Sequence, residues 1–141
     1  MKNVKTVGKV IGWVILVSVI LFGVIQLIPY GRNHTNPQVV AEPSWDGQTR
    51  PVAQKACFDC HSNETVWPWY SNIAPVSWLI QRDVDEGRRN LNFSEWPSRG
   101  SYEIGEVVSG GEMPPAQYLI MHPEAKLTDT EKQMLIQAFG R

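Results

Sequence analysis

The two cysteines of this chain stand three positions apart, and a histidine follows the second at once, in Cys57-Phe58-Asp59-Cys60-His61. Thiols so spaced can add to the two vinyl groups of a haem. The two-residue spacer sets both sulfurs against one edge of the ring, and the adjacent imidazole then falls beneath the iron. Cys57 and Cys60 are therefore the expected covalent attachment points and His61 the expected fifth ligand of the iron. A thiol-disulfide exchange pair normally sits between a strand and a helix of a βαβ unit, and no such pattern surrounds these residues. A zinc site would have to recruit two of His34, His61 and His122, whose spacing matches no finger.

A sixth ligand is sought further along the chain. Gly111-Glu112-Met113-Pro114-Pro115 is a proline-stiffened loop that cannot wind into helix. Its thioether is a soft ligand that favours Fe(II) and raises the reduction potential. Met113 is the first choice. His122 is the alternative and would give a bis-histidine haem of lower potential; Met121 or an open position completes the set. Trp67, Trp69, Tyr70, Trp78 and Trp96 are expected to pack around the ring and exclude water. Trp69 and Tyr70 would donate to the propionates, with Arg82 a weaker donor. Arg88 and Arg89 read as a charge pair at a helix C-terminus, and His34 as a solvent-exposed residue.

The elements that must carry these groups are helical. The sequence predicts a short helix from Val52 to Phe58 leading into the cysteine pair. A second begins after Pro75 with Val76, Leu79, Ile80 and Val84 on one face, turns Arg82, Asp83 and Asp85 outward, and stops near Gly87. A third runs from Tyr102 to Ser109 and offers Ile104, Val107 and Val108 to the core. The last starts at Thr128-Asp129-Thr130-Glu131, a capping box, and carries Met134, Leu135, Ala138 and Phe139 on one stripe. No stretch alternates as a strand would. So few short helices bury little apolar surface by themselves, so a flat apolar porphyrin is expected to fill the centre.

Val10 to Ile28 is 19 residues without a charge, long enough to span a hydrocarbon core. Lys2, Lys5 and Lys9 precede it with no acidic residue, which keeps the N-terminus cytoplasmic and exports the remainder. Trp13 and Tyr30 suit the two interfaces. The run is longer than the core of a cleaved signal and ends without a small-x-small site, so an uncleaved anchor is expected. The organisation is thus an anchor at 1–30, a Pro-, Gly- and Asn-rich linker at 31–49, and a haem-binding domain at 50–141 whose packing starts near Ser44. Past residue 30 there are ten basic and fourteen acidic residues, a sign that offers nucleic acid nothing.

ACFDCHSNETVWPWYSNIAPVSWLIQRDVDEGRRNLNFSEW, followed by GEMPPAQYLIMHPEAKLTDTEKQMLIQAFG, resembles the small haem-binding domain family of membrane-anchored bacterial c-type cytochromes, over nearly all of Ala56 to Gly140. The resemblance implies an all-α, cytochrome c-like bundle of short helices around one covalent haem c. It also implies single-electron transfer on the periplasmic or extracytoplasmic side but no particular redox partner; the anchor is what makes membrane-bound redox proteins the expected partners. Many cytochromes c place a glycine and an aromatic residue in the helix before the motif. Val52, Ala53 and Ala56 stand there instead, with Phe139 expected to meet Ala53 across the crossing. With both axial positions filled the iron would bind no substrate, and the chain would be a carrier rather than an enzyme. A labile sixth site would instead make a gas sensor or a peroxidase-like protein.

Overall fold

The computed structural model describes residues 2–139, with side chains from Thr6 onward. Among the described residues it is all-helical, with an apolar N-terminal helix and no strand. The elements are α1 (Lys2–Ile25), α2 (Thr49–Ala56), α3 (Phe58–His61), α4 (Val76–Asn90), α5 (Ile104–Ser109), α6 (Ala116–Met121) and α7 (Asp129–Phe139), with short 3-10 turns at Trp69–Asn72, Arg99–Tyr102 and Pro123–Ala125. The chain divides into two compact units, residues 1–34 with 68–81, and residues 35–67 with 82–141.

In the first unit α1 is apolar on every face from Val10 onward, and Thr6–Ile25 is long and apolar enough to cross a membrane. The regular helix ends three residues before the uncharged run does. Pro29 disfavours helix at Ile28, and Gln26 spends its side chain elsewhere. Its Nε2 donates to the Ala74 carbonyl at 2.8 Å, while its Oε1 accepts from the Ala74 N–H at 3.0 Å and from Arg32 Nη2 at 3.1 Å. Gly31, at φ 79°, passes so close to α4 that a Cβ there would stand 2.3 Å from the Ser77 carbonyl oxygen. His34, expected in solvent, is half-buried, and its Nε2 lies 2.9 Å from Ser71 Oγ.

The second unit builds its centre from α2, α5 and α7. Val52, Ala53, Ala56, Phe58, Phe93, Ile104, Val108, Leu127 and Leu135 are buried together. The capping box of α7 is as expected: Thr128 N–H donates to Glu131 Oε2 at 2.8 Å, and Glu131 N–H to Thr128 Oγ1 at 3.3 Å. Lys55 ties α2 to α7 through Glu131 at 2.5 Å. Ala53 is fully buried in the core against which Phe139 packs.

The expectation that only a porphyrin could fill the centre needs correcting. Trp45, Phe58, Phe93, Trp96 and Phe139 form an aromatic cluster with neighbouring centroids 5.4 to 6.0 Å apart. Three of its members come from loops, where no helical period betrays a core residue. Packing also begins upstream of Ser44. Val40 and Ala41 N–H donate to the Ser94 carbonyl, and Arg50 bonds Glu42 at 2.9 Å and Glu64 at 3.0 Å.

Candidate functional site

The expected helix from Val52 to Phe58 is broken at Cys57, which takes φ −130° between α2 and α3. That break starts a new helical turn carrying Phe58, Asp59, Cys60 and His61, with Phe58 driven into the aromatic core as its anchor. The motif is thereby fastened from beneath by its most apolar residue. Cys57 and Cys60 are half-buried and are not joined in a disulfide. Burial pushes each thiol up to about 12, Cys57 with help from Cys60, and Cys60 with help from Asp83 and Asp59. A pair held so firmly protonated lacks the stabilised thiolate of a disulfide-exchange catalyst.

His61 is fixed through one ring nitrogen. Its Nδ1 lies 3.0 Å from the Gly87 carbonyl and 3.1 Å from the Leu91 carbonyl, so Nδ1 carries the proton and Nε2 keeps its lone pair. Nε2 has no hydrogen-bond partner among the described residues. Burial lowers the imidazole's pKa, partly offset by the two carbonyls, and a neutral ring is the form a metal requires. The Phe93 N–H holds the His61 carbonyl at 2.8 Å, so the backbone on both sides of the ring is pinned.

Gly87 lies in the last turn of α4 and Leu91 directly after it, and the reason they reach the motif is steric. A Cβ on Gly87 would stand 2.3 Å from the Cys60 carbonyl oxygen and 3.0 Å from Cys60 Cβ. Gly87, expected to end this helix, lies inside it and lets the helix backbone touch the motif. The helix continues to Asn90. Arg88, read as one of a surface charge pair, is a clamp. Its Nε donates to the Ser62 carbonyl at 2.7 Å, Nη1 to the Thr35 carbonyl at 2.9 Å, and Nη2 to Asn36 Oδ1 and Thr65 Oγ1, each at 2.9 Å. Sequence reasoning missed both residues, because a close approach and a backbone clamp leave no periodic signature.

Asp59 reaches the other way. Its Oδ1 accepts from the Val66 N–H at 3.0 Å, and its Oδ2 from the Tyr118 hydroxyl at 2.7 Å. Burial and this bond raise the Tyr118 pKa, so the phenol remains a donor. His122 stacks on Tyr118 with centroids 4.3 Å apart and lies 3.3 Å from Glu124. The motif thus holds α6 through Tyr118, and His122, expected as the alternative ligand, caps that helix. Although α6 reads AQYLIM, none of its residues is buried, and Ile120 and Met121 stand 77% and 56% exposed.

Met113 is half-buried in a loop reversed by Gly111 at φ 73° and tied to α5, where the Val107 carbonyl accepts from the N–H groups of Glu112 at 2.9 Å and Met113 at 3.4 Å. Trp69 and Tyr70 belong to the first unit and pack edge to face at 5.7 Å, Trp69 being exposed. Arg82 is paired with Glu86 at 3.0 Å. Trp96, expected beside the ring, stacks on Phe93 within the aromatic cluster. Trp67 donates to Asn36 Oδ1 at 3.2 Å. Among the described residues no group of three or more His, Cys, Asp and Glu is assembled for a metal ion, which leaves a zinc reading without a ligand set.

The family model for the haem-binding domain matches residues 20–140. The chain belongs to the haem-binding domain family. Neither the curated proteins nor the solved structures yield a match. The donor set suits the family's prosthetic group: an imidazole whose Nε2 is bare and whose Nδ1 is committed, two unpaired thiols beside it, and in α6 an apolar helix without cover. Within this domain His61 is tied through Nδ1 to the Gly87 and Leu91 carbonyls, and α6 is tied to the same motif through Tyr118 and Asp59.

Proposed function

We propose that this haem-binding domain is a mono-haem c-type cytochrome, with haem c bonded to Cys57 and Cys60 and ligated by His61, carrying single electrons on the extracytoplasmic side of a membrane. The observation that carries this reading is His61, tethered at Nδ1 by two carbonyls with Nε2 unused, directly after the only two thiols of the chain. When bound, the haem supplies a one-electron Fe(III)/Fe(II) couple. The protein's part is positional. Gly87 and Leu91 fix the imidazole's tautomer and make it a better donor by hydrogen bonding to its N–H. Phe58 locks the turn that carries the thiols, and Asp59 with Tyr118 keeps α6 against it. A motif fastened at so many points reorganises little when charge changes.

Met113 is assigned as the sixth ligand, in a cytochrome c-like arrangement, with His122 the alternative and Met121 behind it. Residues 1–30 are read as the anchor, with 10–28 in the lipid bilayer and the N-terminus cytoplasmic, and the partners as membrane-bound redox proteins. Confinement to the membrane plane raises the effective concentration of such partners. The reading makes the chain a carrier rather than an enzyme. A gas sensor or a peroxidase-like protein would need a free iron position. Exposure of the reduced holoprotein to carbon monoxide separates the two. A carrier with both positions filled retains its spectrum, and prompt formation of a carbon monoxide adduct would overturn the assignment.

A further inference from the structure

The first half of α4 disobeys the pattern that predicted it. Val84 is buried at 1% exposure, as its position on the apolar stripe demands, yet Val76 and Leu79 on the earlier turn are 41% and 53% exposed. Ile73 and Trp69, just upstream, are also open, Trp69 at 74%. Residues one helical turn apart share a face, so Val76 and Leu79 form one exposed apolar strip at the start of α4, shortly after the exposed Trp69 and Ile73 in the chain. All four lie in the first unit, together with α1.

What covers them is indicated by where they are fastened. Gln26, the first residue past the membrane-length helix, holds both the N–H and the C=O of Ala74, at 3.0 and 2.8 Å. Gly31 then lies against Ser77, at a distance no side chain would permit. Ala74 and Ser77 are thus held against the residues that directly follow α1, where Leu27 and Tyr30 are themselves exposed. Tryptophan and tyrosine in such a position are the residues that favour a bilayer interface.

Charge supports the same occupant. All fourteen Asp and Glu residues of the chain lie outside residues 1–34 and 68–81, whose only full charges are Lys2, Lys5, Lys9 and Arg32. A surface that met a protein partner or bulk water would have no need to exclude every carboxylate. One lying among anionic headgroups would.

We propose that Trp69, Ile73, Val76 and Leu79 form a collar that lies in the interfacial region of the lipid bilayer, clamped to the end of the membrane helix by Gln26. The collar makes α1 and the segment 68–81 one membrane-seated piece, so this stretch of the exported chain is held at the surface and does not swing free. The inference rests on the membrane-anchor reading of α1.

Holoprotein of full length, reconstituted in vesicles of phosphatidylcholine and phosphatidylglycerol, tests it with a nitroxide on single added cysteines, after haem attachment has consumed Cys57 and Cys60. Labels are placed at V76C and L79C, at L16C within α1, and at D85C as an aqueous reference, and collision with oxygen is compared with collision with a water-soluble nickel chelate. The proposal expects positions 76 and 79 to share with position 16 an excess of oxygen over nickel collisions, with position 85 showing the reverse. Nickel access at 76 and 79 equal to that at 85, with position 16 still in lipid, overturns the collar and leaves the anchor standing. Low access to both reagents at 76 and 79 shows cover by protein or by the haem and also overturns it. Nickel access at position 16 removes the anchor and the collar together. In Q26A the proposal expects nickel access at 79 to rise while position 16 is unchanged.

Discussion

The proximal motif and the loop-and-helix segment from Gly111 to His122 are built to different standards. Cys57 to His61 is held by a buried phenylalanine, the Gly87 and Leu91 carbonyls on one imidazole, a backbone bond from Phe93 and the Arg88 clamp. Gly111 to His122 is tied to α5 by backbone bonds to Val107 and Val108, to the motif by the Tyr118-Asp59 bond, and to the following turn through His122, and its helix buries none of its residues. The contrast shows that the cysteine-histidine motif is fixed by many contacts within the chain and the later segment by fewer. On the proposed reading the first would hold the iron's fifth ligand and the second its sixth, and the second keeps Ile120 and Met121 exposed.

That contrast can be broken most severely at its strong end. His61→Ala should abolish low-spin haem in the visible spectrum even when the thioethers form, because no second imidazole is tethered at that position. Next in size, Met113→Ala should convert the ferric spectrum to high spin and open the reduced iron to carbon monoxide, whereas His122→Ala should leave both unchanged. The reverse pair of results would transfer the sixth position to His122.

Gly87→Ala tests the fixing of the motif itself. Its Cβ would collide with the Cys60 backbone, and overpacking of this kind costs about 3 kcal/mol, measurable by denaturant unfolding, together with reduced haem incorporation. Tyr118→Phe removes the bond to the Asp59 carboxylate. It should cost about 2 kcal/mol, in the range for hydrogen bonds to charged groups, while the spectrum is retained if Met113 is the ligand.

The smallest expected effect lies away from the site. Lys55 and the Thr128 backbone lower the Glu131 pKa from 4.5. The carboxylate is favoured in the folded state, so its contribution is complete above the unfolded value and is lost as pH falls through the folded one. The pair is partly exposed, so the loss should be under about 1 kcal/mol. It would be seen as a slightly lower midpoint in thermal melts below pH 4.5 that is absent in Lys55→Ala.

The same contrast separates what was legible in the sequence from what was not. The all-helical class, the apolar N-terminal helix and the capped last helix were legible, because each rests on a local spacing or cap. The inward face of α5 was legible for the same reason, with Ile104 and Val108 buried. Trp45, Phe93 and Trp96 were not recognised as the core, since loop residues repeat at no interval. Gly87 was read by its conformational weakness, when its value is the hydrogen atom it shows to Cys60. Val76 and Leu79 were read correctly as one face, but the expectation that an apolar face turns to protein assumed water as the only other solvent.

The central claim is covalent attachment at the cysteine-histidine motif, and the intact mass of the full-length chain, matured in a host with cytochrome c assembly machinery, tests it most directly. One added haem mass per chain is predicted, retained after acid-acetone extraction and absent from the Cys57→Ala, Cys60→Ala double variant. An unmodified mass with both thiols titratable in the unfolded chain would contradict it.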